Sequence, residues 1–356
     1  MDIKTTYLSA PLSTTKATVT AKKITGVGTY MISEWTDEIS ELSDARKIDE
    51  FRADKDGFKK ANPMSPEYAE NADYYYELIN DSLLRTCRDE KYPNEFDESD
   101  IEWAYGKVEE FNSWEKTQKA IELGKASKAT LKQVKKYEND FTQSFNDSEN
   151  EIQSIKKKRI YSDNGAELDM ARVMCGDTDY WTSRKKTGKA SVIRLGIDVG
   201  VSHDNGSSTF AKIAGIGIAL AKEIQKKGYS LEIYKVGKNE SSNNCFLVNQ
   251  DNDSEYTKPE KIAGYSDSYL GFKTCLKGSQ QNIDLERISN IGLEGIFRGC
   301  TFRSQGLALG HFNGYPRGQW SELELEAFGL DCVVSKRWVS GDQKTMISNL
   351  KKKLGI

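Results

Sequence analysis

Between Ser191 and Val236 the hydrophobic pattern describes a buried strand, a turn, a long helix and a second strand. Val192-Ile193-Arg194-Leu195-Gly196-Ile197-Asp198-Val199 is a short apolar run rich in β-branched residues, as in a strand covered on both faces. A turn follows with Gly200, His203, Asp204, Asn205 and Gly206, and Ser207 or Ser208 then caps a helix expected over about Thr209–Lys227. Phe210, Ile213, Ala214, Gly217, Ile218, Ala221 and Ile224 recur there at three- and four-residue steps. The small residues Ala214, Gly215, Gly217, Ala219 and Ala221 predict a helix lying close against a sheet. Gly228 suits the left-handed position after its last turn, and Ser230–Val236 supplies the next strand. A strand–helix–strand order of this kind implies a right-handed crossover and two parallel strands.

Further strands are expected at Cys245–Val248 and Cys332–Ser335, with helices near Ile283–Phe302 and Gln343–Lys353. The alternation predicts a three-layer α/β domain over residues 160–356. Ligands of such sheets sit beyond the carboxyl ends of the strands, here Asp198–Gly206 and the loops after Val236 and Ser335.

The first half reads differently. Residues 1–33 alternate in short stretches such as Ala17–Ala21, with Gly26 and Gly28 at a turn, and predict an arm or peripheral strands. Residues 34–155 form a mainly helical acidic region, with Leu42, Ala45, Ile48 and Phe51 on one face of its first helix. Pro66 starts a second helix carrying Tyr68, Tyr75, Tyr76 and Leu83, and two more are expected over Asp100–Phe111 and Thr117–Asp140. Lys156-Lys157-Lys158-Arg159 at the seam is the densest basic cluster, suited either to phosphate contact or to a solvated linker.

Charge divides along the same line. Net charge is −3 overall, but residues 1–150 carry −9 and residues 151–356 carry +6. The positive half suits an anionic partner. No apolar run is long enough to span a membrane, and the N-terminus lacks a secretory h-region, so a cytoplasmic protein is expected. The six cysteines are scattered without a C-x-x-C pair, and His203 and His311 are the only imidazoles. Free thiols are expected, and neither a zinc site nor any cofactor.

The turn after Asp198 matches no catalytic pattern. Gly200–Gly206 lacks the lysine of a phosphate-binding loop and the G-x-G-x-x-G of a dinucleotide site, and Ser202-His203 is not a nucleophile elbow. Asp198-Val-Gly-Val-Ser202 is similar to the Asp-x-Ser-x-Ser of the von Willebrand factor A metal site, with glycine in place of the middle serine. Asp198 and Ser202 are therefore weak candidates for a divalent cation. Without one, Asp198 caps backbone amides of the turn.

The segment Gly165–Lys186 carries an acidic helix start, a Gly-Asp turn, Tyr180-Trp181 and Arg184-Lys185-Lys186, and leads into the strand ending at Asp198. This order, over roughly Ser162–Val236, resembles a group of bacteriophage proteins with a degenerate von Willebrand A-like core. The resemblance implies a Rossmann-type von Willebrand A-like domain at 160–356 and no enzymatic activity. It also implies a single-stranded-DNA-binding transcription cofactor that delivers a phage-encoded single-subunit RNA polymerase to DNA. Rings beside cations fit that role, because bases stack on the former and phosphates meet the latter. The candidate residues are Tyr180, Trp181, Arg184, Lys185 and Lys186, then Arg298, Arg303, Arg317, Trp320, Lys336, Arg337 and Trp338. The competing expectation is a von Willebrand A-like protein-interaction adaptor that binds no nucleic acid.

Overall fold

The computed structural model describes residues 12, 14–24, 28–63, 73, 76, 98–107, 110–146, 157–162, 167–176, 178–186, 192–200, 207–240, 268–309, 315–316 and 320–340. In chain order the elements are β1 (Thr18–Ile24), β2 (Gly28–Trp35), α1 (Glu38–Ala53), α2 (Lys55–Ala61), α3 (Glu98–Tyr105), α4 (Trp114–Leu123) and α5 (Lys128–Asn146). Next come β3 (Lys157–Ser162), β4 (Glu167–Leu168), α6 (Met170–Met174), β5 (Trp181–Lys186), β6 (Val192–Asp198), α7 (Ser207–Lys226), β7 (Ser230–Glu240) and β8 (Ser268–Lys277). The chain continues through α8 (Leu285–Ser289), α9 (Phe302–Leu309), β9 (Tyr315–Pro316), α10 (Glu322–Ala327), β10 (Cys332–Val334) and α11 (Lys336–Ser340). None of the described helices is long and apolar enough to cross a membrane.

The protein is of α/β type. A mixed seven-stranded sheet runs β1-β2-β8-β7-β6-β10, with β9 paired to the far end of β7. As the periodicity predicts, β6 and β7 are parallel and joined through α7. The sheet then departs from a simple parallel array, because β8 runs antiparallel to β7 and β2 parallel to β8. The N-terminal strands thus extend the sheet that the C-terminal half builds.

From Phe210 to Ala221 almost every residue of α7 is buried, since the helix has the sheet on one side and α5 on the other. Two glycines make both approaches possible. A Cβ on Gly217 would lie 2.7 Å from Ile197 Cδ1 of β6, whereas one on Gly215 would lie 2.7 Å from the Val134 carbonyl oxygen of α5. The expected close approach to the sheet therefore belongs to Gly217, and Gly215 serves the second helix. Gly228 adopts φ +92°, the left-handed exit.

Three expected helices differ in detail. The helix expected over Thr117–Asp140 is two, α4 and α5, because Gly124 takes φ +59° and the Lys125 N–H returns to the Ala120 carbonyl. That over Asp100–Phe111 ends at Tyr105, where Gly106 turns at φ +76°. The stretch Ile283–Phe302 breaks into α8, a 3₁₀ turn and a wide π turn over Gly295–Thr301. Gly295 and Gly299 in that turn admit Thr117 and Tyr105 closer than any side chain would allow. Cys245–Val248, Gln343–Lys353 and most of the helix after Pro66 lie outside the described residues. Tyr76 is described, and it is buried against Phe51 and Phe58.

Alternation along the strands separates two faces. Ile193, Leu195, Ile197, Leu231, Ile233, Phe272 and Trp35 face the layer of α7 and its neighbours. Tyr30, Ile32, Val236 and Tyr269 meet Phe328 and Leu330, around α10. α1 lies on the first face and buries Leu42, Ala45, Ile48 and Phe51, but also Glu38, Glu41 and Asp44. The acids have partners. Glu41 meets Lys235 at 2.7 Å with both groups essentially inaccessible, and accepts from Thr274 and Thr301 as well.

Similar pairs join the two halves elsewhere: Glu34–Lys273 (3.1 Å), Glu38–Arg287 (2.6 Å), Asp49–Arg303 (2.8 Å) and Glu138–Lys222 (2.5 Å). Part of the opposite charge on the two halves is thus matched within the molecule. Cations outside these pairs are the ones left to meet an external anion.

Candidate nucleic-acid interface

A second, smaller sheet lies apart from the first, with strand order β3-β5-β4 and all pairs antiparallel. Its register is the central observation. Lys157 pairs with Lys186, Lys158 with Lys185 and Arg159 with Arg184. Two basic runs, each conspicuous in the sequence but far apart in it, thus become a three-rung ladder of cations. Strand alternation gives positions 157, 159, 184 and 186 one face of the ribbon and positions 158 and 185 the other.

Like charges directly opposite in a sheet repel, and opposite charges there contribute roughly 0.2–1 kcal/mol per pair. The register sets three such like-charged pairs of positions in succession.

The return from β4 to β5 is held by local chemistry. Asp169 caps α6 by accepting from the Ala171 N–H at 3.2 Å, and its own N–H donates to the Tyr180 carbonyl at 2.8 Å. Arg172 donates to the Asp179 carbonyl at 2.9 Å and lays its guanidinium 3.9 Å from the centre of the Tyr161 ring. Gly176 turns the chain at φ +73° with open space around it. Tyr180 and Trp181 are half-buried, their rings 6.3 Å apart and tilted. Leu168, Met170, Val173 and Met174 are exposed, the last at 84%, and they are four of the seven large exposed hydrophobics among the described residues.

The remaining described candidates lie outside β3, β4 and β5. Arg298 and Arg303 are interior. Arg298 donates to the Trp103 carbonyl at 2.8 Å and packs on the Trp103 ring, while Arg303 pairs with Asp49 and lies 4.1 Å from the centre of Trp114. Trp338 is buried against Phe141. These three were expected at a ligand surface and are instead parts of the core: their ring–cation neighbourhoods are filled by the protein itself. Lys336 and Arg337 are exposed at the start of α11, and Arg317 lies outside the described residues.

Trp320 is engaged at the carboxyl end of β6. Its indole N–H donates to Asp198 Oδ2 at 2.8 Å, and the Gly200 N–H donates to Oδ1 at 2.9 Å. Asp198 is buried, and burial pushes its carboxyl up to about 7 against the indole and amide hydrogen bonds and the charge of Lys238, which favour the ionised form. Both oxygens of the weak metal candidate are thus used by protein donors, in the capping role that the sequence allowed. Ser202 lies outside the described residues. Asp198 fastens the end of β6 to the segment leading into α10.

The pairing of 157–159 with 184–186 was not expected from sequence. Its signal was present: two basic runs of similar length flanking Asn164-Gly165 and Gly176-Asp177, both turn-forming. A family model described as a domain of unknown function, DUF7192, matches residues 62–317. The chain belongs to that family. The DUF7192 match contains the whole cationic ribbon and the central strands β6, β7 and β8, and it leaves β1, β2 and β10 outside. No curated protein and no solved structure matches the chain.

Proposed function

We propose that this DUF7192 protein binds single-stranded nucleic acid, foremost single-stranded DNA, along the ribbon formed by β3 and β5, without catalysis. The observation that carries the reading is the register that sets Lys157, Lys158 and Arg159 against Lys186, Lys185 and Arg184. The half-buried Tyr180 and Trp181 beside the ladder support single strands over duplex, because unpaired bases offer faces to stack on. The biological role proposed with it is a phage transcription cofactor in the cytoplasm of a bacterial host, recruiting a phage-encoded RNA polymerase. The exposed strip Leu168–Met174 supports a protein contact on the same module.

The fold reading that accompanies this role is von Willebrand A-like. It is supported by β6 and β7 parallel through α7, β8 antiparallel beside β7, and β10 parallel on the other flank of β6. A second reading, a protein adaptor without nucleic-acid binding, is favoured by the same apolar strip.

Fluorescence anisotropy with labelled single-stranded and duplex oligonucleotides separates the two. If the four positions on one ribbon face each hold a phosphate, log K should fall with log salt at a slope of about −3 for a single strand. Affinity then drops about 60-fold between roughly 0.05 and 0.2 M salt. Binding that is weak at low salt to both forms, or that does not vary with salt, would overturn the first reading.

A further inference from the structure

The acidic half of the chain contains one strongly basic stretch. Residues 123–137 hold Lys125, Lys128, Lys132, Lys135 and Lys136 and no carboxylate. Structure turns this composition into a surface. Among the described side chains of α5 the buried ones are Thr130, Val134, Glu138 and Phe141, and Gly215 of α7 lies against the Val134 carbonyl. With that face committed to the core, all five lysines are exposed, and none forms an ion pair among the described residues. Glu138 of α5 pairs with Lys222 of α7. Lys128, Lys132, Lys135 and Lys136 border a shallow groove of about 570 Å³, shared with Asn139 and Asp140.

The placement runs against helix stability. α5 has no acid in its first turn and begins on Lys128, although the positive end of the helix dipole disfavours cations there by roughly 0.3–1 kcal/mol. The Ser127 hydroxyl caps the helix by accepting from the Thr130 N–H at 2.9 Å. Helix end and lysines therefore add to one positive field, rigidly mounted on the core. From Lys128 to Lys136 the stripe covers about 12 Å of helix axis, room for a few successive phosphates.

We infer that the exposed face of α5 is a second phosphate-contacting surface for the single-stranded nucleic acid proposed above. The inference rests on the proposed function and adds to it a second contact surface. The observation that selects a nucleic-acid backbone is charge complementarity along a line: several exposed cations in series that form no ion pair among the described residues, with Asp140 the carboxylate bordering their groove.

The test compares the full chain with the triple variant K128Q/K132Q/K135Q, titrated with a labelled single-stranded oligonucleotide at several salt concentrations. Removing three phosphate contacts should lower the salt slope by about 2. The variant should remain folded, since the three side chains are exposed, and circular dichroism checks this. A wild-type chain that binds with a steep slope, paired with a variant of unchanged slope, overturns the α5 surface and leaves the ribbon reading intact. Loss of slope on changing Arg159 and Arg184 to glutamine, with none on changing α5, likewise overturns the α5 surface alone. Failure of the wild-type chain to bind any oligonucleotide at low salt overturns both.

Discussion

Replacing Arg184 by glutamate should strengthen the ribbon and weaken its binding at once. In the antiparallel register position 184 lies opposite Arg159, diagonal to Lys157, and two residues from Lys186 on the same face. The substitution turns a repulsive cross-strand pair into an attractive one. Each sign contributes roughly 0.2–1 kcal/mol, so the local gain is about 0.5–2 kcal/mol. That gain corresponds to about 2- to 30-fold slower hydrogen exchange at the paired amides of 157–162 and 181–186. Salt should reduce it, because exposed charges are screened over about 8–10 Å. Binding should respond in the opposite sense. If the ribbon holds phosphates as proposed, at least one contact is lost and a carboxylate takes its place, so the salt slope falls by about 0.7 or more and low-salt affinity drops about tenfold. Arg184→Lys, which keeps the charge, should leave the slope unchanged. Faster exchange in the ribbon together with undiminished affinity would refute the argument, since it would mean that the cations serve the fold rather than a ligand.

Other outcomes follow from the core and the sheet edge. Lys235→Met leaves Glu41 inaccessible without its counter-charge and should cost about 3–5 kcal/mol in urea unfolding, most of it recovered by adding Glu41→Gln. An equal loss in the single and double variants would show that packing, not charge, holds this site. Asp198 is raised from its ordinary 3.8 to about 7 in the folded protein. Between these values the native state keeps a proton that the unfolded chain has released, so stability falls as pH rises through the window, by about 4 kcal/mol in all. Asp198→Asn should flatten the difference in unfolding midpoint between pH 4 and pH 8, and an unchanged difference would exclude Asp198 as its source. Gly215→Ala should be destabilising by about 1–3 kcal/mol, because the new methyl meets backbone atoms of α5. Gly217→Ala should come closer to neutral. Its neighbour is the tip of Ile197, and alanine recovers about 1 kcal/mol of helix propensity. Thermal melts that rank the two the other way would refute the assignment.

Local pattern carried a large part of the fold. The unit β6-α7-β7 was legible because its information is short-range: β-branched runs, helical periodicity and a glycine able to take positive φ at position 228. Inside the helical segments glycine placement was harder to read, since Gly124 ends a helix while Gly215 sits within one. Chemistry was legible only as composition. Arg303 and Trp338 look no different in sequence from Arg184 and Trp181, and burial, which depends on contacts between distant segments, sets the first two in the core.

Sequence alone therefore determined an α/β protein with an acidic first half, a basic second half and two conspicuous basic runs. Tertiary structure decided what those charges do. It matched Glu34, Glu38, Glu41, Asp49 and Glu138 to cations of the other half, and it set Lys157–Arg159 against Arg184–Lys186. The physical reason is range: backbone preferences are settled by a residue and its near neighbours, whereas a charge takes its meaning from whichever group the fold brings within a few ångströms.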